Sequence, residues 1–445
     1  MKKKLTFKEN MFIGSMLFGL FFGAGNLIFP IHLGQAAGSN VFIANLGFLI
    51  TAIGLPFLGI IAIGISKTSG LFEIASRVNK TYAYISRLLS TFRLTRLATT
   101  SFEIAFSPFL SPKQITLYLF IFSFVFFVIA WFFARKPSRI LEYIGKFLNP
   151  VFLVLLAIIL LFAFIHPLGG ISDAPISKQY QSNALFNGFL DGYNTLDALA
   201  SLAFGIIIVA TIKKLGIENP TDIAKETIKS GTISIIMMGI IYTLLAIMGT
   251  LSIGHFKLSE NGGIALAQIT QYYLGNYGIV LLSLIVMVAC LKTAIGLITA
   301  FSETFEHLFP KMNYLAIATV VSFISFLFAN VGLTKIIMYS VPVLMFLYPL
   351  AIALIVLTLF SSKFHHSKII YQCTIFFTMI AALVDGLKAS PEFISSTSFS
   401  QTLINFSQKY LPLSDIGMGW VVLSLIGFII GFIIYKIKYR KIPQA

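Results

Sequence analysis

The chain has 445 residues, 57% hydrophobic and 11% charged, against about 25% charged in soluble globular proteins. Such a composition cannot cover its own surface in water, so the chain reads as an integral membrane protein. The net charge of +16 does not point to nucleic acid: no basic stretch is joined to a binding module, and the basic residues lie in short runs between apolar segments, as in cytoplasmic loops.

The basic start MKKKLTFKEN leads into an apolar run from Met11 to Leu33. That run is too long for a signal-peptide core and no small-residue cleavage site follows it, so an uncleaved first span is expected over 11–33. Further segments meeting the requirement of about 20 mostly apolar residues lie at 41–65, 114–134, 147–168, 184–212, 230–254, 276–302, 312–334, 336–362, 369–387 and 416–435. All read as helices, because the chain is too apolar throughout for the alternation of a membrane barrel.

These eleven segments would place the basic ends, MKKK and KIKYRK, on opposite sides. A span hidden between Lys80 and Lys113 resolves this and gathers most lysines and arginines on one side. Twelve spans with both termini cytoplasmic are therefore expected. The hidden third span, YAYISRLLSTFRLTRLATTSFEIAFSPFL, carries three arginines and Glu103. Each charge near a helix centre costs about 2.5–3.5 kcal/mol on insertion scales. It needs shelter from neighbours or a water-filled cavity, and the alternative is a re-entrant or damaged segment.

Two spans contain poor helix formers at comparable depth. The first carries FFGAGNLIFP; the sixth carries NGFLDGYNTLDALASLAFG. Glycine, asparagine and proline disfavour a continuous helix there. Unwinding at mid-membrane depth is tolerable only where the freed backbone lines a cavity. Freed N–H groups at the positive end of a half-helix can hold a carboxylate, and freed carbonyls can coordinate a cation. Broken helices in corresponding positions of two halves are the sequence pointer to a secondary transporter's site. A glycine-rich packing face without unwinding is the alternative.

Asp191 and Asp197 fall beside the second break, and intramembrane carboxylates are functional by default, although Asp191 could also cap a helix at the interface. Asp385 and Glu303 sit near span ends, where capping or snorkelling is expected. The histidines form no metal-ligand spacing and no nucleophile–base pair, so no enzyme is expected. Cys290 and Cys373 form no disulfide framework. There is no phosphate-binding loop, so no nucleotide partner or cofactor is expected and energy must come from ion gradients. A channel or a non-transporting sensor remains the alternative class, without the polar helix stripes or the soluble domain each would want.

The stretch MLFGLFFGAGNLIFPIHLGQAAGSN resembles the first-span signature of the bacterial branched-chain amino acid transport system II carriers, the branched-chain amino acid:cation symporters. RLATTSFEIAFSPF, NGFLDGYNTLDALASLAFGIIIV, ACLKTAIGLI, SVPVLMFLYPLAIALIVL and DGLKAS extend the resemblance from the first span to the eleventh. It implies a carrier of leucine, isoleucine and valine in the bacterial cytoplasmic membrane, driven by Na⁺ or H⁺, with a fold of the LeuT type. Such a fold makes 1–445 one membrane domain: 11–168 as a first five-helix repeat, 184–362 as its inverted copy, and 369–435 as two added helices. The backbone of Gly23, Ala24, Gly25 and Asn26 would meet the amino-acid substrate, with Tyr193, Asp197, Ser201 and Phe204 as the opposite wall. Carbonyls of Gly19 and Phe22 would face Ala289 and the Thr293 hydroxyl across a cation site. Two departures stand out. The third span is shorter and richer in arginine than the family's, which leaves an inactive or altered-specificity paralogue as the alternative. Lys292 also stands where an uncharged residue is expected, and its ammonium could replace Na⁺.

Overall fold

The computed structural model describes residues 4–66, 71–79, 92–106, 110–195, 197–309 and 311–439, and every regular element among them is helical. Helix α1 (Phe7–Phe21) opens on a capping box in which the Glu9 amide donates to Thr6 Oγ1 at 3.3 Å and the Thr6 amide donates back to Glu9 at 2.7 Å. This satisfies two of the donors a helix start leaves over. The expected first span then divides, with α2 (Ala24–Ala37) following after two non-helical residues. The second span runs as α3 (Val41–Leu49), a π turn at Ile50–Gly54 and α4 (Leu55–Ser66).

After α5 (Leu71–Ser76), the described part of the stretch expected as a third span forms α6 (Phe92–Ala105), which is not among the helices long and apolar enough to cross a membrane. Its expected first part, 80–91, and residues 107–109 lie outside the described residues. Next come α7 (Pro112–Ala134) and α8 (Asn149–Ile165), the latter entered through a π-helical stretch at Leu141–Leu148. The sixth span is divided as well, into α10 (Ala184–Tyr193) and α11 (Asp197–Lys214), preceded by the short α9 (Lys178–Gln181).

The remaining long helices are α12 (Pro220–Ser252), α13 (Gly262–Leu308), α14 (Tyr314–Ala329), α15 (Leu333–Phe360), α16 (Lys368–Lys388) and, beyond the short α17 (Glu392–Ser395) and α18 (Ser398–Tyr410), α19 (Gly419–Tyr439). The span expected at 276–302 begins earlier. Gly275, at φ +54°, kinks α13 and leaves a helical arm, 262–274, ahead of it. Such a φ is open to glycine at little cost.

Among the described residues, eight helical stretches are long and apolar enough to cross a membrane. Their outer faces keep large apolar side chains exposed, Phe120, Phe124, Val154 and Ile429 among them, the reverse of a soluble surface. Inside, α2 lies almost backbone to backbone on α12: a Cβ on Gly34 would come within 1.9 Å of the Ala246 carbonyl oxygen, and Thr250 Oγ1 donates to the Gly34 carbonyl at 2.8 Å. Small residues permit this approach, and it holds the second half of the broken first helix against the helix that carries Tyr242.

Candidate functional site

The first break is confined to Phe22 (φ −76°, ψ 87°) and Gly23 (φ −98°, ψ −171°). It is narrower than the expected 23–26, because Ala24, Gly25 and Asn26 already form the first turn of α2. Their amides remain useful, since the first donors of a helix have no partner inside it and sit at its positive end. On the other side, the Gly23 amide donates to the Phe21 carbonyl at 2.9 Å and not to Gly19, four residues back, which frees the Gly19 carbonyl. Asn26 turns back on the break, its Oδ1 accepting the Gly23 amide at 3.3 Å.

The second break is also shorter than expected. Asp191, Gly192 and Tyr193 end α10, Asn194 and Thr195 form a turn, and Asp197 starts α11. Thr195 Oγ1 donates to the Gly192 carbonyl at 2.9 Å, covering one carbonyl at the end of α10. Asp197 places a carboxylate in the first turn of a helix, where the macrodipole favours negative charge.

A cavity of about 40 Å³ lies between the breaks, lined by Gly23, Ala24, Gly25, Asn26, Ile28 and Phe29, by Arg96, Leu97 and Thr100 of α6, and by Asn194 and Thr195. It has room for a few waters. A smaller one, about 20 Å³, lies on the far side of Arg96 and Asn194, against Tyr193, Val341, Leu344, Met345 and Tyr348. Arg96 and Asn194 line both and so divide them. Beside the larger cavity, Asn26 Nδ2 donates to Asp197 Oδ2 at 2.5 Å and also contacts the Tyr242 hydroxyl, which donates to the same Asp197 oxygen at 3.2 Å. All three residues are buried.

The residues expected on the opposite wall separate. Asp197 stands in this buried cluster, and Tyr193 lines the smaller cavity, its ring tilted against that of Tyr348 at 4.6 Å between centroids. Ser201 points at α4, its Oγ 2.1 Å from where a Cβ on Gly59 would be, and donates to the Ala198 carbonyl at 2.7 Å. Phe204 packs edge-on against Phe21 at 5.6 Å. Neither lines the cavity. Arg96, Thr100, Asn194, Thr195 and Tyr242 were not singled out from the sequence. Arg96 carries a usable signal, a charge inside an expected span that needs a neighbour or a water-filled cavity to shelter it. Tyr242, one tyrosine in an apolar helix, carried none.

Thr293 approaches the first break closely. A Cβ on Gly23 would lie 3.3 Å from Thr293 Oγ1, which itself donates to the Ala289 carbonyl at 3.4 Å. The hydroxyl and the freed Gly19 carbonyl are hard oxygen donors of the kind a small cation takes. Phe22, expected to offer its carbonyl, lies in the break itself, and its ring stacks on that of Phe18 at 4.9 Å. Lys292 is fully buried one residue before Thr293. Its Nζ donates to Asn149 Oδ1 at 3.0 Å and lies 3.7 Å from the centre of the Phe152 ring and 5.6 Å from that of Phe18. Asn149 in turn donates to Ser15 Oγ at 2.8 Å. Lys292 Nζ therefore sits between one amide oxygen and two aromatic faces, where an ammonium would be held, alongside α1 near its carbonyl end, which favours positive charge. A Cβ on Gly19 would lie 3.5 Å from the same Asn149 oxygen, which sets the Lys292–Asn149 pair against α1 at Gly19. Among the described residues, no group of three or more His, Cys, Asp or Glu is placed to hold a metal ion.

Ahead of the second break, the Tyr180 hydroxyl donates to Asp191. That contact ties the short α9 to α10 and gives Asp191 a partner.

Comparison with known proteins places this arrangement. The chain resembles the branched-chain amino acid permease BrnQ of Lactobacillus delbrueckii subsp. lactis, 44% identical over 430 residues that cover 95% of this chain and 96% of the relative. Its fold is shared with MhsT, solved in complex with L-phenylalanine (TM-score 0.52, 14% identity, 97% of this chain and 99% of that one). It is also shared with Mhp1, a nucleobase-cation-symport-1 family transporter solved with bromovinylhydantoin bound (TM-score 0.54, 13% identity, 94% and 98%). The family model described as branched-chain amino acid transport protein matches residues 6–438, and the chain belongs to that family.

Proposed function

We propose that the protein is a secondary carrier of leucine, isoleucine and valine, and that the substrate binds in the cavity between the two helix breaks. The observation that carries this reading is that both interruptions line one cavity that an arginine also lines. The amides of Ala24 and Gly25 and the guanidinium of Arg96 receive the substrate carboxylate. The turn at Asn194 and Thr195 offers oxygen acceptors to the ammonium group. Ile28, Phe29 and Leu97 meet the branched side chain. In an apolar pocket one methylene is worth only about 1–3 kcal/mol, so the three substrates compete with one another. The cavity is narrow, and binding requires Arg96 to swing off the divide so that the two spaces join.

Twelve spans place both termini on the cytoplasmic side, with 11–168 and 184–362 as inverted repeats and 369–435 added to them. Alternating access is the rocking of one group of helices against the other around this site. The Asn26–Asp197–Tyr242 cluster keeps the two breaks together through that movement. Coupling is to H⁺: the Lys292 ammonium replaces Na⁺ beside Gly19 and Thr293, and proton exchange on Lys292 during the cycle releases and restores that charge.

Reconstituted protein tests these assignments. A pH gradient, acidic on the side of entry, is expected to drive accumulation of labelled leucine with no Na⁺ present. Strict Na⁺ dependence would end the lysine assignment, and absence of uptake by protein correctly inserted in vesicles would end the carrier reading.

A further inference from the structure

The largest of the cavities described lies away from the helix breaks. Helix α19 is drawn tightly onto α16 by two glycines: a Cβ on Gly427 would meet the Cys373 carbonyl oxygen at 2.7 Å, and one on Gly431 would meet Ile370 Cα at 3.0 Å. Held there, α19 meets α15 over only a short stretch. Between them a cavity of about 330 Å³ opens, walled by Val356 and Phe360 of α15, Thr374 of α16, and Trp420, Leu425 and Phe428 of α19. Val356, Phe360 and Leu425 are 42%, 50% and 58% exposed, so the space is a groove open sideways, where the bilayer would be.

One end of the groove is cationic. Lys363 Nζ lies 5.4 Å from the centre of the Phe360 ring on one wall. On the other wall, Phe428 stacks on Phe432 at 6.0 Å and Lys436 Nζ lies 5.0 Å from the Phe432 ring. Each wall therefore ends in an aromatic ring followed by an ammonium. Residues 361–384 and 419–439 contain no Asp or Glu, so neither lysine has an acidic neighbour on these two segments.

We propose that this groove seats an acyl chain of an anionic phospholipid whose phosphate is held by Lys363 and Lys436. Bilayer tails are as apolar as the groove wall, so the tail contributes shape and little selectivity. The choice among lipids comes from the head group, because basic pockets between membrane helices select anionic ones. The site is independent of the transport assignment.

Native mass spectrometry of the full chain, released from detergent with equal amounts of phosphatidylglycerol and phosphatidylcholine of matched tails, tests the proposal. Phosphatidylglycerol is expected to be retained preferentially and to raise the Tm. The double substitution Lys363→Ala with Lys436→Ala is expected to cut its retention by roughly tenfold, from the loss of two surface-level cations. Ser424→Phe, which fills the groove and leaves both lysines in place, is expected to remove it. Gel filtration establishes that each variant remains folded. Equal retention of the two lipids would overturn the proposal, as would retention unchanged by either variant. Efficient disulfide formation between two copies carrying Leu425→Cys in the bilayer would overturn it too, by giving the groove to a second chain.

Discussion

Asn26 donates its side-chain amide to a carboxylate oxygen of Asp197 at 2.5 Å, across 171 positions of sequence. The contact joins the first turn of α2 to the first turn of α11. Each of these half-helices starts at a break, so one hydrogen bond to a buried charge fixes the distance between the two broken backbones. Tyr242 adds a third anchor from α12.

Separating this pair is expected to disable transport without removing the protein from the membrane. A hydrogen bond to a charged group contributes about 1.5–3 kcal/mol, so Asn26→Ala should lower leucine uptake about ten- to hundredfold. Asn26→Asp, which sets two carboxylates against each other, should do at least as much harm. The exchanged pair, Asn26→Asp with Asp197→Asn, should recover part of the loss, because two contacting sites are coupled. Uptake normalised to membrane abundance measures this; an exchanged pair as impaired as the Asn26→Asp and Asp197→Asn losses added together would mean that the two residues act separately.

Arg96 is expected to act on affinity. A guanidinium offers a carboxylate two parallel donors that lysine cannot match. Arg96→Gln should raise the KM for leucine by about tenfold or more, and Arg96→Lys should fall between that variant and the parent. Concentration-dependent uptake separates the cases. A change in maximal rate alone, at unaltered KM, would put Arg96 in the moving parts and outside the binding site.

Removing the Lys292 ammonium should uncouple the carrier from the proton gradient. In Lys292→Ala vesicles, exchange of internal for external leucine should persist while acceleration by an imposed pH gradient disappears. If the variant still concentrates leucine in response to acidification, the coupling proton travels elsewhere.

Gly23 tolerates little. Its φ of −98° suits any residue, so the obstacle is space: a Cβ would stand 3.3 Å from Thr293 Oγ1 and 3.5 Å from Leu97 Cδ2. Gly23→Ala should weaken leucine uptake several-fold and Gly23→Val should nearly abolish it. Gly54→Ala, whose nearest foreign atom is 3.9 Å away, should be close to normal. Parental uptake by Gly23→Val would show that the cavity is not where substrate passes.

The two breaks were legible because they rest on local chemistry: glycines and asparagines at 23–26 and 188–194 are poor helix formers whatever surrounds them. Their extent was overestimated, since Ala24–Asn26 and Asp191–Tyr193 keep helical geometry at the edges of each break. What the sequence could not carry was the facing of side chains. Ser201 and Phe204 share α11 with Asp197, but one and two turns on they are turned toward α4 and α1, and nothing in a uniformly apolar helix marks which face meets a neighbour. The helical arm ahead of Gly275 was equally hidden, since Gly275-Asn276 reads as the start of a span and 262–274 is not a long apolar run. Tyr242 and Arg96 became site residues only once tertiary packing brought α12 and α6 to the breaks.

A structure determined with leucine present measures the central claim most directly. The amino acid should lie between the two breaks, its carboxylate at the amides of Ala24 and Gly25 and at Arg96, and its side chain against Ile28, Phe29 and Leu97. Leucine found elsewhere in the protein, or helices running unbroken through Gly23 and Asn194 with leucine bound, would contradict it.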